Sequence, residues 1–144
     1  MEIATLKSRI HTNDANSAKR EIIYPELSYK LTGIFFEIQK ELGRFCRERQ
    51  YADALEQKLK QGNINYEREK NIENDLIKGN RADFIIDKKI LVELKSIPFT
   101  TKLDYFQVMR YLKASNLKLG MIVNFQSRYL KPKRIINNEF ATFV

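Results

Sequence analysis

The segment RADFIIDKKILVELKS, residues 81–96, places charged side chains inside two runs of branched residues. Two such runs on either side of a short polar turn are typical of a β-hairpin. A three-residue turn, DKK, would pair Ile86 with Ile90 and, in the same register, Asp83 with Glu93. Because side chains alternate between the two faces of a strand, both carboxylates would lie on the same face.

The two faces of this hairpin differ in polarity. The face expected on the core is apolar throughout, and it consists of Ala82, Phe84, Ile86, Ile90, Val92 and Leu94. A slip of one residue in register would turn this face to water. The opposite face is apolar near the turn and charged at its open end, where Arg81 and Lys95 accompany the two acids.

A cation should relieve the repulsion between two carboxylates whose Cβ atoms are about 5 Å apart. Lys95 or Arg81 could do so alone, and the acids would then be a surface charge cluster without a function. A divalent cation is the alternative, because Mg²⁺ prefers oxygen ligands and is usually held by one or two carboxylates, waters and substrate phosphates. The pattern alone leaves both interpretations open.

The rest of the chain predicts the elements that would position this hairpin. Apolar periodicity and cap residues give a helix over 27–42 with Ser28 as N-cap, a helix over 47–61, a strand near 64–68, the hairpin, a helix capped by Thr100 or Thr101 and ending near Ser115, a buried strand in LKLGMIVNF, and a strand over 133–136. This order predicts an α/β sandwich around a mixed sheet.

Two further groups of polar residues could contribute to a site. Gln107 and Tyr111 are four residues apart on the third helix and therefore lie on one face. Glu37 follows Gly33 by one turn on the first helix, and a glycine there suggests close approach of another backbone or of a ligand. A tyrosine at helical spacing is more often core, however, and an exposed glutamate is usually only solvated.

Composition limits the function classes. The 144 residues include 26 Lys and Arg against 18 Asp and Glu, a net charge of +8 and a pI near 9.6. Such an excess favours a polyanionic partner, most commonly nucleic acid. The single cysteine, Cys46, excludes an internal disulfide, and with one histidine, His11, there is no Cys/His zinc site.

The chain is expected to be one domain over residues 25–144, preceded by a polar arm or added edge strand over residues 1–24. Its first residues carry no apolar segment typical of a signal peptide. No apolar run approaches the roughly 18 residues of a membrane span. A cytoplasmic location is therefore expected, with no membrane partner. Oligomeric state is left open, a homodimer being one option.

In order, these residues resemble the PD-(D/E)XK nuclease superfamily, and within it the small prokaryotic GxxExxY family. The similarity runs from PELSYKLTGIFFEIQKELG through RADFII, LVELK and QVMRYLKASNLKLGMIVNF to KRII. Two features depart from the pattern. Glu48 and Tyr51 fit the name motif but Phe45 occupies its glycine position, and Ala82 stands where the superfamily name has proline.

The resemblance implies a restriction-endonuclease-like α/β core, with a central mixed β-sheet flanked by helices. It implies hydrolysis of phosphodiester bonds, most commonly in DNA, with Mg²⁺ as cofactor and Mn²⁺ as a substitute. The site residues carried over are the metal ligands Asp83 and Glu93, the main-chain carbonyl of Leu94, the motif lysine Lys95, the helical acid Glu37, which would hold the metal directly or through water, and the Gln107 and Tyr111 pair.

Three hypotheses follow from different classes. The first is a Mg²⁺-dependent nuclease, the second a nucleic-acid-binding module on the same fold that lacks turnover or needs a partner, and the third a structural protein with a coincidental acidic pair. An intact set of Asp83, Glu93 and Lys95 argues against the second. The ordered set of motifs argues against the third.

Overall fold

The computed structural model describes residues 22–72 and 80–140 of the chain. Within these ranges three helices and five strands follow one another as α1 (Pro25–Leu42), α2 (Glu48–Gln61), β1 (Tyr66–Ile72), β2 (Asn80–Ile86), β3 (Ile90–Lys95), α3 (Lys102–Ser115), β4 (Leu119–Asn124) and β5 (Lys133–Ile136), with a final 3₁₀ turn at Asn138–Phe140. The order of elements matches the prediction. The predicted arm lies almost wholly outside the described residues. None of the described helices is long and apolar enough to cross a membrane.

The five strands form one mixed sheet in the order β1-β2-β3-β4-β5. Strands β1, β2 and β3 are antiparallel neighbours, β3 and β4 are parallel and joined through α3, and β4 and β5 are antiparallel. The hairpin has the predicted register, with Ile86 opposite Ile90 across the turn. The mixed α/β fold predicted from the sequence is confirmed, and it is consistent with a restriction-endonuclease-like core.

Helices cover both faces of the sheet. On the first face, buried side chains of α1 and α2, among them Phe35 and Tyr51, pack against the apolar side of β2, β3 and β4. On the second face, α3 packs against Ile85, Leu91 and Ile122. One residue departs from the predicted alternation, because Ala82 belongs to the second cluster. It has no regular β3 partner and precedes Asp83, at which the pairing of β2 with β1 is interrupted. At the charged end of the hairpin, Lys95 lies beside α3, with its Nζ 3.5 Å from Asp104 Oδ1.

The start of α1 differs from the prediction. The helix begins at Pro25, whose fixed φ suits the first helical turn and whose missing N–H costs nothing there. Ser28 is consequently inside the helix and buried, so it is not the N-cap. Its hydroxyl accepts a hydrogen bond from Arg134 of β5, which also donates to the carbonyl of Ile23 at 2.9 Å. Ser28 thus links α1 to β5, at one edge of the sheet.

Gly33 does not mark a close approach, contrary to the expectation from its position. It is exposed, and a Cβ atom built there would meet no atom within 4 Å outside the local helix backbone. The glycine thus gives no sign that a ligand or second backbone contacts α1 at this point.

Replacing Gly33 by alanine should therefore stabilise the protein. Glycine in a helix interior is less favourable than alanine by about 0.5–1 kcal/mol, and nothing opposes the added methyl group. We expect urea unfolding to show a gain of about this size. Gly120→Ala is the contrasting variant and should be destabilising, since a Cβ there would lie 2.8 Å from Val108 Cγ1 of α3. A loss of stability in Gly33→Ala would show that α1 is covered.

Candidate active site

The open end of the hairpin is held by side chains instead of a regular ladder. Paired positions between β2 and β3 end at Phe84 opposite Val92. Beyond them, the main-chain N–H of Asp83 donates to Glu93 Oε1 at 2.9 Å, and the N–H of Leu94 donates to Asp83 Oδ2 at 2.8 Å. Each bond uses one carboxylate oxygen, so each acid keeps a second oxygen with lone pairs for a further ligand.

The β1 side of Asp83 is also irregular. Arg68 pairs with Phe84 and Lys70 with Ala82, whereas the intervening Glu69 is not paired and has a φ of 54°. The left-handed region is uncommon for a residue with a side chain. Asp83 is thus outside the regular ladder with β1 and with β3. Its carboxylate lies where the regular pairing of these strands is interrupted.

The two hairpin acids have raised pKa values. Burial raises the pKa of Glu93 to about 8, with the negative charge of Asp83 as the next cause, and Glu93 is only 5% exposed. Burial also raises the pKa of Asp83. The charge of Lys95 acts in the opposite direction on both acids, so all three groups lie within electrostatic reach of one another. Burial and mutual repulsion thus disfavour the ionised forms of the two acids, and a cation bound beside them would favour those forms.

Lys95 is positioned by the start of α3. Its Nζ lies 3.5 Å from Asp104 Oδ1, with both side chains mostly buried. Asp104 also accepts a hydrogen bond from the main chain of Thr101 at 2.8 Å, closing a capping box at the helix N-terminus. Asn124 of β4 bonds both the N–H and the carbonyl of Ile97. The connection from Lys95 to α3 is therefore fixed at both ends.

Gln107 and Tyr111 meet as the helical spacing predicts. Gln107 Nε2 lies 3.0 Å from Tyr111 Oη, and Tyr111 is buried. Burial raises the pKa of Tyr111, and the charge of Glu93 is the second cause. The pair therefore belongs to the same electrostatic neighbourhood as the hairpin acids, one turn along α3 from the aspartate that holds Lys95.

Glu48, at the first position of α2, lies close to these acids, whereas the resemblance assigns the helical acid to Glu37. Partial burial of its carboxyl raises the pKa of Glu48, followed by the charge of Asp83, while Lys95 and the N–H of Ser96 lower it. The available signal was the spacing of Glu48 and Tyr51. Tyr51 donates to the carbonyl of Gly43 at 2.5 Å and accepts from the N–H of Cys46 at 3.2 Å, which fixes the turn before α2.

Glu37 lies elsewhere. Its carboxylate is exposed and sits 3.5 Å from Lys58 Nζ, which also pairs with Glu41 at 3.1 Å. Lys58 is ten residues after Glu48 on α2, a displacement of about 15 Å along the helix axis. The structure therefore places Glu37 in a surface ion-pair cluster and does not bring it together with Asp83 and Glu93.

A cleft of about 410 Å³ opens beside Asp83. Its lining combines three acids with three arginines and consists of Glu48, Arg49, Ala52, Arg68, Glu69, Arg81, Ala82, Asp83 and Leu94. Arg68 is bound to Asp53 and Glu56 at 2.8 Å each, and Arg81 to Glu69 at 2.9 Å. Arginine side chains can bind phosphate oxygens, and the neighbouring acids could hold a cation. A cleft that combines these two kinds of group is suited to a phosphate ester.

The donor set suits a hard divalent cation only in combination with other oxygen ligands. Across residues 22–72 and 80–140, no group of three or more His, Cys, Asp or Glu side chains is placed to hold a metal ion. Two carboxylates, Asp83 and Glu93, do lie next to each other, each bonded to a main-chain N–H of the other's strand. This number is what Mg²⁺ typically takes from a protein when waters and substrate phosphates complete its coordination.

Comparison with known proteins identifies a family for most of the chain. No curated protein and no solved structure was found to match the chain. A family model described as the PD-(D/E)XK nuclease superfamily matches residues 25–136, which is most of the sequence. Proteins of this superfamily are generally nucleases that hydrolyse nucleic acid with divalent metals. From the extent of this match, with the acid, acid and lysine set at the open end of the hairpin, the chain belongs to the PD-(D/E)XK nuclease superfamily.

Proposed function

We propose that this protein is a Mg²⁺-dependent nuclease that hydrolyses phosphodiester bonds in DNA, with Mn²⁺ as a substitute metal. The observation that carries the proposal is the juxtaposition of Asp83 and Glu93, each bonded to a main-chain N–H of the other's strand, at the end of the hairpin that holds Lys95, in a chain of a nuclease superfamily. Burial of two mutually repelling acids is unfavourable for folding. A bound cation would offset this cost, because its positive charge compensates the two negative charges.

The metal would be held by Asp83 and Glu93, with the main-chain carbonyl of Leu94 as a third protein ligand. Each acid has one oxygen bonded to a main-chain N–H, which fixes the orientation of its carboxylate. When bound, a divalent metal polarises the phosphodiester and lowers the pKa of a coordinated water. The protein's own contribution is to keep the two carboxylates oriented and partly shielded from solvent.

Lys95 orients the attacking water or stabilises negative charge that develops on the phosphate. Its contact with Asp104 keeps the ammonium group at the open end of β3. Glu48, rather than Glu37, is the helical acid of this proposal, because its carboxyl shares the cleft with Asp83. Gln107 and Tyr111 are hydrogen-bonding groups for phosphate oxygens, already aligned with each other on α3.

Several finer assignments belong to the same proposal. Glu48 and Tyr51 support membership of the GxxExxY family, because Tyr51 fixes the turn from which Glu48 enters the cleft. Phe45, at the glycine position of that motif, is largely exposed, so the turn accepts it. We also propose a single nuclease domain over residues 25–144 and a cytoplasmic location.

The direct test is cleavage of labelled DNA by purified protein. Linear duplex, circular duplex and single-stranded DNA would be incubated with Mg²⁺, with Mn²⁺ and with a chelator, beside an RNA of matched sequence. We expect cleavage of DNA that requires either metal and stops with the chelator. Metal-dependent cleavage confined to RNA would correct the substrate, and its absence from every substrate would remove the enzymatic assignment.

Binding without turnover is the second candidate. It is favoured by the net charge of +8, which supports contact with nucleic acid whether or not a metal is bound. A binding module would retain DNA affinity yet show no cleavage and no Mg²⁺ effect on melting. The two candidates therefore separate in the same experiment.

Affinity for DNA should fall steeply as salt is raised. The net charge of +8 favours contacts between basic side chains and phosphates, and each such contact releases condensed counterions. We expect a plot of log affinity against log salt concentration to be linear, with a slope of roughly −0.9 per phosphate contact. Fluorescence anisotropy with a labelled duplex, in chelator to prevent cleavage, would measure it. Affinity that is independent of salt would exclude the phosphate backbone as the main contact.

A further inference from the structure

The outward face of α3 carries large apolar side chains in water. Leu103 is 76% exposed and Phe106 54% exposed, and Phe99, just before the helix, is 74% exposed. Tyr105 lies against Phe106 edge to face, with ring centroids 5.7 Å apart. Scattered exposed apolar residues need no explanation, but a concentration of four within eight residues indicates a contact surface.

Basic residues accompany these apolar side chains. At 100° per residue, Leu103, Phe106 and Arg110 project on one side of the helix, and Lys102 and Lys113 project next to Phe106. All three basic residues are exposed. The only acid of this helix, Asp104, is turned away toward Lys95. The face therefore combines aromatic and cationic groups without an opposing negative charge of its own.

This face adjoins the candidate active site. Gln107 is four residues after Leu103 and so lies next to it along the helix, and it reaches Tyr111 one turn further. Asp104, which immediately follows Leu103, holds Lys95. A nucleic-acid strand bound along the exposed residues of α3 would therefore place its phosphate backbone beside the groups that we propose act on phosphate.

We propose that the outward face of α3 binds unpaired nucleotides, so that the enzyme acts on nucleic acid with a single-stranded segment next to the cleavage point. This inference rests on the proposed nuclease function. Aromatic side chains stack on base faces, and basic residues contact the accompanying phosphates, which is the composition of surfaces that bind single strands. The interior of a duplex does not offer its base faces, because they are already stacked on each other.

A second copy of this chain is the competing occupant of an apolar face. The charge pattern argues against it, because two copies meeting through α3 in a symmetric contact would bring Lys102, Arg110 and Lys113 together with their equivalents. Like charges brought together at an interface cost affinity. A nucleic acid with unpaired bases is complementary to both the aromatic and the basic side chains of this face.

The test uses Asp83→Asn as a cleavage-deficient background and measures affinity for three DNAs of one sequence: a single strand, a duplex with an overhang, and a blunt duplex. We expect the first two to bind more tightly than the blunt duplex. Phe106→Ala should weaken binding to the single strand by about 5- to 100-fold, the range seen for removal of one stacked aromatic. It should change binding to the blunt duplex by less than about twofold.

Phe36→Ala is the matched control, because Phe36 is an exposed phenylalanine of α1, 48% accessible and outside this face. It should leave all three affinities unchanged. Equal affinity for overhang and blunt DNA, or equal effects of the two variants, would overturn the inference while leaving nuclease activity intact. Light scattering would show whether Phe106→Ala dissociates a dimer, which would also overturn it in favour of a second copy. Failure of the nuclease proposal is distinct, since the wild-type protein would then cleave no DNA.

Discussion

Replacing Asp83 by asparagine should abolish metal-dependent cleavage. The substitution keeps the size of the side chain, and its amide oxygen can still accept the hydrogen bond from Leu94 N–H, which in the wild type is 2.8 Å long. It removes the negative charge that a hard cation needs. Metal assistance is worth several kcal/mol of transition-state stabilisation, and each 1.36 kcal/mol is a factor of ten, so we expect a loss of about 10³-fold or more. Single-turnover cleavage with excess enzyme measures it.

DNA binding should survive the same substitution or become tighter. Asp83 lines the cleft beside Arg68 and Arg81, so removing its charge makes the cleft less repulsive to phosphate. Lys95→Ala is the companion variant. It should also reduce turnover, but Mg²⁺ should still raise its melting temperature, because an ammonium group is not a metal ligand. Undiminished cleavage by Asp83→Asn would contradict the proposed active site, and a contaminating nuclease would then be suspected.

The hairpin and its neighbours were predictable because their signals are local. A period of two places Asp83 and Glu93 on one face once the turn length is set, and Ile86 opposite Ile90 confirms that register. The third helix was similarly predictable from Thr100 or Thr101 as its cap, of which Thr101 is the N-cap, and from the four-residue spacing of Gln107 and Tyr111. These features depend on residues that are close in sequence.

The other features of the candidate site depend on how elements that are distant in sequence pack against each other. Helical periodicity shows that Glu37 and Glu48 are both on helices, but only the packing of α1 and α2 shows which helix end reaches the hairpin. The role of Asp104 in holding Lys95 likewise arises from the return of the chain along β4, parallel to β3. Nor does strand alternation reveal that the ladder around Asp83 gives way to hydrogen bonds from main-chain N–H groups to carboxylates.

The stability of the metal-free protein should fall as pH rises from about 5 to 8. Burial raises the pKa of Glu93 from its ordinary value of 4.5 to about 8 in the folded chain, so the folded state holds the proton more tightly than the unfolded state. Over this interval the folded state therefore binds more protons than the unfolded state, and the free energy of unfolding decreases with pH. The raised pKa of Asp83 acts in the same direction. The loss attributable to Glu93 should be at least about 1 kcal/mol, since one pKa unit corresponds to about that energy.

Glu93→Gln isolates this contribution. The amide oxygen can still accept the N–H of Asp83, and its NH₂ group can donate to the neighbouring carboxylate, so the variant resembles the protonated acid. At pH 8 without metal it should melt about 2–4 °C above the wild type, and at pH 5 the two should coincide. Mg²⁺ should reverse the order at pH 8, because it binds the ionised pair and stabilises only the wild type. Differential scanning fluorimetry across pH, with and without Mg²⁺, measures all four cases. Glu67→Gln, an exposed glutamate of β1, is the control and should keep the Mg²⁺ response. A wild-type melting temperature that Mg²⁺ does not change at pH 8 would contradict metal binding by Glu93.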